Sequence, residues 1–197
     1  MELLFASANA HKIEEIKSIL PAAHSLKSLS DIGFAHDIPE TGSTIKENSF
    51  LKAKYISDWL GEKGHQIMIF ADDSGLEVEA LNGAPGVYSA RYAGVPKSDD
   101  NNNNKLLQEL KSVTARKARF VTVITLLIND QIHSFEGEVL GTIAYEARGK
   151  KGFGYDPLFI PRGYRSTFAE LGSEVKNNIS HRAMAVKKLV EFLTNNL

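Results

Sequence analysis

At 197 residues, 43% of them hydrophobic and 24% charged, the chain is long enough to bury a core without a staple. Its 23 basic against 24 acidic residues leave a formal charge of −1, which argues against a nonspecific nucleic-acid binder. Its zero cysteines exclude disulfides, thiolate zinc, iron–sulfur clusters and a thiol nucleophile.

The opening MELLFASANAHK lacks a basic n-region, and the apolar run 120–128 is too short to span a bilayer, so a soluble cytoplasmic protein is expected. ELLFAS (2–7) reads as a short buried strand. From residue 10 the spacing changes: Ile13, Ile16, Ile19 and Leu20 recur at helical intervals until Pro21 closes the segment. PETGST (39–44) is a turn cluster in which Thr44 and Glu47 have capping-box spacing. Leu51, Tyr55 and Trp59 then share one face of a helix that ends at Gly61 and Gly64. The apolar run 67–71 reads as a buried strand ending at Asp72-Asp73. Leu76, Val78 and Ala80 alternate with Glu77 and Glu79 as a half-buried strand, which NGAPG (82–86) breaks. Asp99 or Asp100 is placed to cap a helix over 105–111, with NNNN (101–104) as its polar start rather than a site. RFVTVITLLI (119–128) is apolar on both faces and therefore central. Asn129-Asp130 reads as a hairpin turn into QIHSFEGEVLGTI, and 145–165 as a Gly-, Lys- and Arg-rich loop holding PLFI. The last helix takes Ser180 as its cap and buries Val186, Leu189, Val190 and Leu193. Strands both separated by helices and joined by a hairpin make a mixed α/β chain with no internal repeat.

Four stretches hold more polar chemistry than a scaffold needs. SANAHK (7–12) presents backbone N–H groups at a helix start, which suits a phosphate. Lys12 opposes the acidic preference of a first turn unless an anion arrives; the plainer alternative is an Asn9 cap beside an incidental lysine. Asp72 and Asp73 point to opposite faces of a regular strand. With Glu40 they offer the hard oxygens that Mg²⁺ takes together with a substrate's phosphates, or else they cap a hairpin turn. GFGYDPLF (152–159) lacks a third glycine, and Pro157 blocks a following helix, so it is no dinucleotide fingerprint. Phe153 or Tyr155 can stack on a base that Asp156 orients, or the stretch is a tight loop around a core phenylalanine. Lys176, His181 and Arg182 lie around a helix start, the wrong end for cations unless something negative or carbonyl-rich is near; a solvated basic surface is the alternative. Together the four describe a metal, a polyphosphate and a ring. No Gly-Lys-Ser/Thr occurs, DDSG has the wrong spacing for an Asp-x-Asp nucleophile, and the 6 histidines show no zinc spacing.

In this order SANAHK, PETGSTIKENSFLKA, FADDSGLEVEALNGAPGVYSARYAG, GFGYDPLF and SHRAMA resemble the inosine triphosphate pyrophosphatase family, whose bacterial members are called dITP/XTP pyrophosphatases. The resemblance runs from residue 2 to about residue 190. It implies one two-lobed α/β domain over 1–197, with a long mixed β-sheet, flanking helices and a central substrate cleft. It implies hydrolysis of ITP, dITP, XTP or dXTP to the monophosphate and pyrophosphate by a Mg²⁺-using homodimer, with no nucleic-acid or membrane partner. A related-fold hydrolase of modified pyrimidine triphosphates is the alternative. Residue by residue, it places a triphosphate loop on Ser7, Ala8, Asn9, Ala10, His11 and Lys12. It gives the metal to Glu40 and Asp73 and makes Asp73 the catalytic aspartate, for which orientation of the attacking water is the expected role. Substrate contacts fall on Ser74, Phe153, Gly154, Tyr155, Asp156, Lys176, His181 and Arg182. Asp72 is expected to shape the metal site. Base choice is expected from donors aimed at a 6-oxo group: His181, Arg182 and the backbone N–H groups of 153–156. The first loop departs from the family's usual Thr-Gly-Asn: Ser7 keeps the hydroxyl, but Ala8 brings a Cβ that bears on any positive-φ geometry there. Ala183 likewise stands where glycine is usual.

Overall fold

The computed structural model describes residues 1–129 and 131–196, with His65 by its backbone. Six strands, β1 (Glu2–Phe5), β2 (Ser25–Lys27), β3 (Met68–Val78), β4 (Lys117–Ile128), β5 (Gln131–Ile143) and β6 (Phe159–Pro161), form one sheet in the order β2-β1-β3-β4-β5-β6. β1 runs parallel to β2 and β3, and β5 antiparallel to β6, so the sheet is mixed. The helices are α1 (Ala10–Ile19), α2 (Ile45–Leu60), α3 (Asp99–Glu109), α4 (Phe168–Ile179) and α5 (His181–Asn196). The α/β class expected from the residue pattern is what forms. Among the described residues no helix is long and apolar enough to cross a membrane.

The chain divides into two compact units. Unit 1 comprises Met1–Asp73, Thr122–Gly137 and Arg182–Leu197. Its strands alternate sides residue by residue, and both sides are covered, so they read as unbroken apolar runs. Leu3, Phe5, Phe70, Ile124 and Leu126 pack against Ile16 of α1 and Ala185, Val186, Leu189 and Leu193 of α5. Leu4, Ala6, Ile69 and Ala71 turn the other way, onto Ala53 and Ile56 of α2 with Leu29 and Phe34. Unit 2 comprises Ser74–Val121 and Glu138–His181. There Leu76, Val78, Ala118, Phe120, Ile143 and Phe159 close on Leu106 of α3, on Leu110 just after it and on Phe168 of α4.

Several elements differ from the sequence pattern. β3 does not stop at Asp72-Asp73; it continues through Ser74 and Gly75 to Val78 as one 11-residue strand, so the pair sits mid-strand and caps no turn. Ala80 belongs to a short 3₁₀ turn, Glu79–Leu81, not to a strand. α3 begins at Asp99, earlier than expected, because the Ser98 hydroxyl caps it by accepting from Asn101 N–H. α4, absent from the sequence reading, starts on a full capping box between Thr167 and Glu170. α5 starts at His181, so Ser180 does hold the expected cap position before it, and the same residue also ends α4. The expected hairpin turn rests partly on Asp130, which lies outside the described residues; Asn129 beside it has a φ of 48°.

Candidate active site

A continuous β3 is the reason two adjacent aspartates end up inside the protein. Extended backbone sends them to opposite sides, and within unit 1 they meet different cations. Asp72 Oδ1 lies 2.9 Å from Lys12 Nζ, and its Oδ2 accepts from Arg182 Nε at 3.1 Å. Arg182, in the first turn of α5, also pairs through Nη1 with Glu15 of α1. Asp73 Oδ1 lies 2.9 Å from Lys52 Nζ, and the same ammonium is 2.9 Å from Glu40 Oε1. Carboxylates from positions 40 and 73 thus converge on one cation, and Lys12 points at the neighbouring aspartate.

Local structure puts each group there. Asn9 Oδ1 accepts from Lys12 N–H at 3.2 Å and caps α1, while Lys12 reaches back from that first turn to Asp72. Cap and cation are therefore both present, and the lysine is not incidental. The non-glycine residues with positive φ are Asn82 and Asn129 among the described residues, so Ala8 replaces glycine without backbone strain. Thr44 Oγ1 caps α2 by accepting from Glu47 N–H at 3.0 Å, and Glu47 turns to the Ser43 N–H and hydroxyl. The buried face of α2 is not the one carrying Leu51, Tyr55 and Trp59. It carries Ile45, Asn48, Ser49, Lys52, Ala53 and Ile56. Asn48 Oδ1 accepts from Gly42 N–H at 2.7 Å and ties down the turn after Glu40; a Cβ on Gly42 would meet that same oxygen. One turn further on, Lys52 takes a position in the apolar stripe between Ile45 and Ile56. Lys52 was missed from the sequence, although a lysine in such a stripe is the signal that finds it.

Burial and charge set the protonation tendencies. Burial raises the Asp72 carboxyl, but Lys12, Arg182 and Lys52 outweigh it and hold it far below the usual range. Burial raises Asp73 as well, and there it prevails over Lys52 and Lys12, so Asp73 binds its proton more tightly than an ordinary aspartate. Burial lowers Lys52, yet Asp73, Asp72 and Glu40 together keep it above its usual value. Lys12 is lowered by burial, which Asp72 offsets only in part. Asp72 is therefore the anchor of two cations, Lys12 and Arg182.

Among the described residues no three His, Cys, Asp or Glu side chains gather as a metal group. Magnesium does not need three, since one or two carboxylates complete its shell with waters and substrate phosphates. Glu40 and Asp73 already share a cation, so their oxygens fit that ion.

Unit 2 holds a second polar cluster. Asp156 Oδ2 lies 2.5 Å from Lys176 Nζ, in the last turn of α4, and accepts from Phe153 N–H at 2.9 Å. Lys176 Nζ stands 4.5 Å from the Phe153 ring centroid. Tyr155 is buried and donates its hydroxyl to Ser89 C=O at 2.9 Å. His181 is buried and stacks on Phe120 at 4.6 Å, and Ser74 lies half-buried on β3. Three of the four amides expected to face a base are engaged elsewhere. Phe153 N–H goes to Asp156, Gly154 N–H to Asp99 at 2.6 Å, and Asp156 N–H to Phe153 C=O at 3.2 Å. Arg182, expected beside His181 on the base, is held within unit 1 by Asp72 and Glu15. Lys176 sits at a helix end, where a cation is favoured, not at a start.

Residues 3–192 match the model of the Ham1 family. A dITP/XTP pyrophosphatase of Flavobacterium psychrophilum is 51% identical, covering 99% of this chain and 100% of that protein. One from Porphyromonas gingivalis is 52% identical, covering 98% and 97%. The Staphylococcus aureus Ham1 protein superposes with a TM-score of 0.88 at 43% identity, covering 100% of both chains.

Proposed function

The chain belongs to the Ham1 family, and from that membership we propose that it hydrolyses non-canonical purine nucleoside triphosphates, ITP, dITP, XTP and dXTP, to the monophosphate and pyrophosphate. The observation that carries the reading is the single Lys52 ammonium 2.9 Å from both Glu40 and Asp73, beside a Lys12–Asp72 pair of the same length. Such a group suits a tail of phosphates and a divalent ion. The relatives named above are purine triphosphate enzymes, which favours this reading over modified pyrimidines.

Ser7 to Lys12 take the phosphate tail, through the start of α1 and the Lys12 ammonium. Glu40 and Asp73 hold magnesium, which when bound supplies charge neutralisation on the phosphate oxygens. Asp73 accepts a hydrogen bond from the water that attacks the α-phosphorus and so orients it. The bond from the α-phosphorus to the oxygen bridging to the β-phosphorus breaks, and pyrophosphate leaves. Lys52 spaces the two carboxylates, and Asp72 aims Lys12 while Arg182 braces Asp72. The base is given to Phe153, Gly154 and Lys176, with Tyr155 and Asp156 supporting them, and to His181 and Ser74. Arg182 acts through Asp72 in this reading. The homodimer and the cytoplasmic nucleotide pool are carried as proposals on family membership alone, with sedimentation velocity as the check on the first.

A panel of triphosphates with Mg²⁺, read out as pyrophosphate against orthophosphate, tests the proposal. dITP and XTP are expected to release pyrophosphate. dITP should exceed dATP in kcat/KM by roughly 10⁴, the scale at which a site built for one polar group rejects its mismatch. Equal values for dITP and dATP, orthophosphate as the product, or preference for a pyrimidine would each overturn it.

A further inference from the structure

The tract Asp99 to Asn104 reads in sequence as nothing more than a polar helix start. In unit 2 its members do unequal things. Asn101 and Asn104 are exposed, whereas Asn102 and Asn103 are 2% and 6% exposed. Asn102 is fully engaged on one side: Nδ2 donates to Ser89 and Ala90 C=O at 3.4 and 3.3 Å, and Oδ1 accepts from Ala93 N–H at 2.7 Å. Ser89 C=O is also the acceptor of the Tyr155 hydroxyl. On the other side Asp99 and Asn103 grip one residue. Asp99 Oδ2 accepts from Gly154 N–H at 2.6 Å, and Asn103 Nδ2 donates to Gly154 C=O at 2.9 Å.

Gly154 has a φ of 61°, a left-handed conformation that suits glycine. Capturing both its N–H and its C=O from one helical turn fixes the orientation of both flanking peptides. Asn103 Oδ1, meanwhile, is buried with no hydrogen bond. A buried acceptor left open costs stability, so packing alone gives no reason to keep asparagine there. Its retained partner is the Gly154 carbonyl.

We propose that Asp99 and Asn103, one turn apart at the start of α3, are positioning residues that set base selectivity by holding Gly154 between Phe153 and Tyr155. This rests on the assignment of 153–156 to the base. The two residues touch no nucleotide; they fix the tilt of the Phe153 ring and the amides beside it.

The test compares the wild-type protein with Asp99→Ala, Asp99→Asn and Asn103→Leu, which conserves shape. Steady-state kinetics with dITP and dATP are joined by inhibition with inorganic tripolyphosphate, which has no base. Asp99→Ala and Asn103→Leu are expected to raise KM for dITP about tenfold, more than any change in kcat. They should also lower the dITP-over-dATP ratio by about tenfold while the tripolyphosphate Ki holds. Asp99→Asn keeps an acceptor oxygen and should restore most of the ratio. Wild-type KM and ratio in both loss variants overturn this inference alone, as does a tripolyphosphate Ki that rises in step with KM. A wild-type protein without preference for dITP overturns the proposed function and this inference with it. Asp99 is exposed, so Asp99→Ala keeps the test open should Asn103→Leu fail to fold.

Discussion

Asp73→Asn is expected to lower kcat by at least about 10²-fold, within the 10²–10⁴ span of a positioned acid or base. The amide keeps the shape but loses the charge that faces Lys52 and the oxygen that accepts from water. Folding should survive, because Lys52 retains Glu40 at 2.9 Å. The expected pattern is thus a near-native melting temperature with activity gone, measured as pyrophosphate release from dITP alongside thermal denaturation. A loss of less than tenfold would remove Asp73 from the chemistry.

Asp72→Asn should fail in the opposite way, through stability. Asp72 is 1% exposed and answers both Lys12 and Arg182. Taking away one member of a buried ionic set strands the charges it compensated, at a cost of about 3–5 kcal/mol. Arg182 keeps Glu15, whereas Lys12 loses its carboxylate partner. Urea unfolding of the two proteins measures the difference, and a change below about 1 kcal/mol would contradict the burial argument. The variant also carries a pH signature. The folded Asp72 carboxyl lies far below the unfolded value of about 3.9, so its stabilisation is complete above that pH. It is lost progressively as pH falls from there toward the folded value. The gap between wild type and Asp72→Asn should accordingly be widest near neutrality and narrow below about pH 4. A gap that stays constant from neutrality to pH 3 would mean that Asp72 is not held as a carboxylate.

What the sequence made legible was whatever rested on local pattern. β4 announced itself by being apolar on both faces, and it does lie between β3 and β5. The Asn9 and Thr44 caps were visible because the capping oxygen and the amide it serves are three residues apart. Other features rest on charge compensation between distant positions, and local pattern is blind to that. Asp-Asp-Ser-Gly has the composition of a turn, and the distant Lys12, Lys52 and Arg182 help make it tolerable inside a strand. Lys52 hid because a lysine is read as solvated, yet its four-carbon stem lies in an apolar stripe and its head on two carboxylates. The Gly154 clamp was hidden for a similar reason: Asp99 and Asn103 meet it from more than fifty residues away. α4 was different, since Thr167 and Glu170 do carry a start signal, lost among the glycines and cations preceding it.

Adjacent aspartates at mid-strand also key the alignment of β3. Neighbouring side chains face opposite ways, so sliding a strand by one residue exchanges everything it shows to its two sides. A purely aliphatic β3 would tolerate that slip at modest cost. Here the slip would carry Asp72 away from Lys12 and Arg182 and Asp73 away from Lys52, and would unstack Phe70 from Phe5. The charges of Asp72 and Asp73 therefore also serve as an indexing pin, admitting one pairing of β1 with β3 and penalising its neighbours.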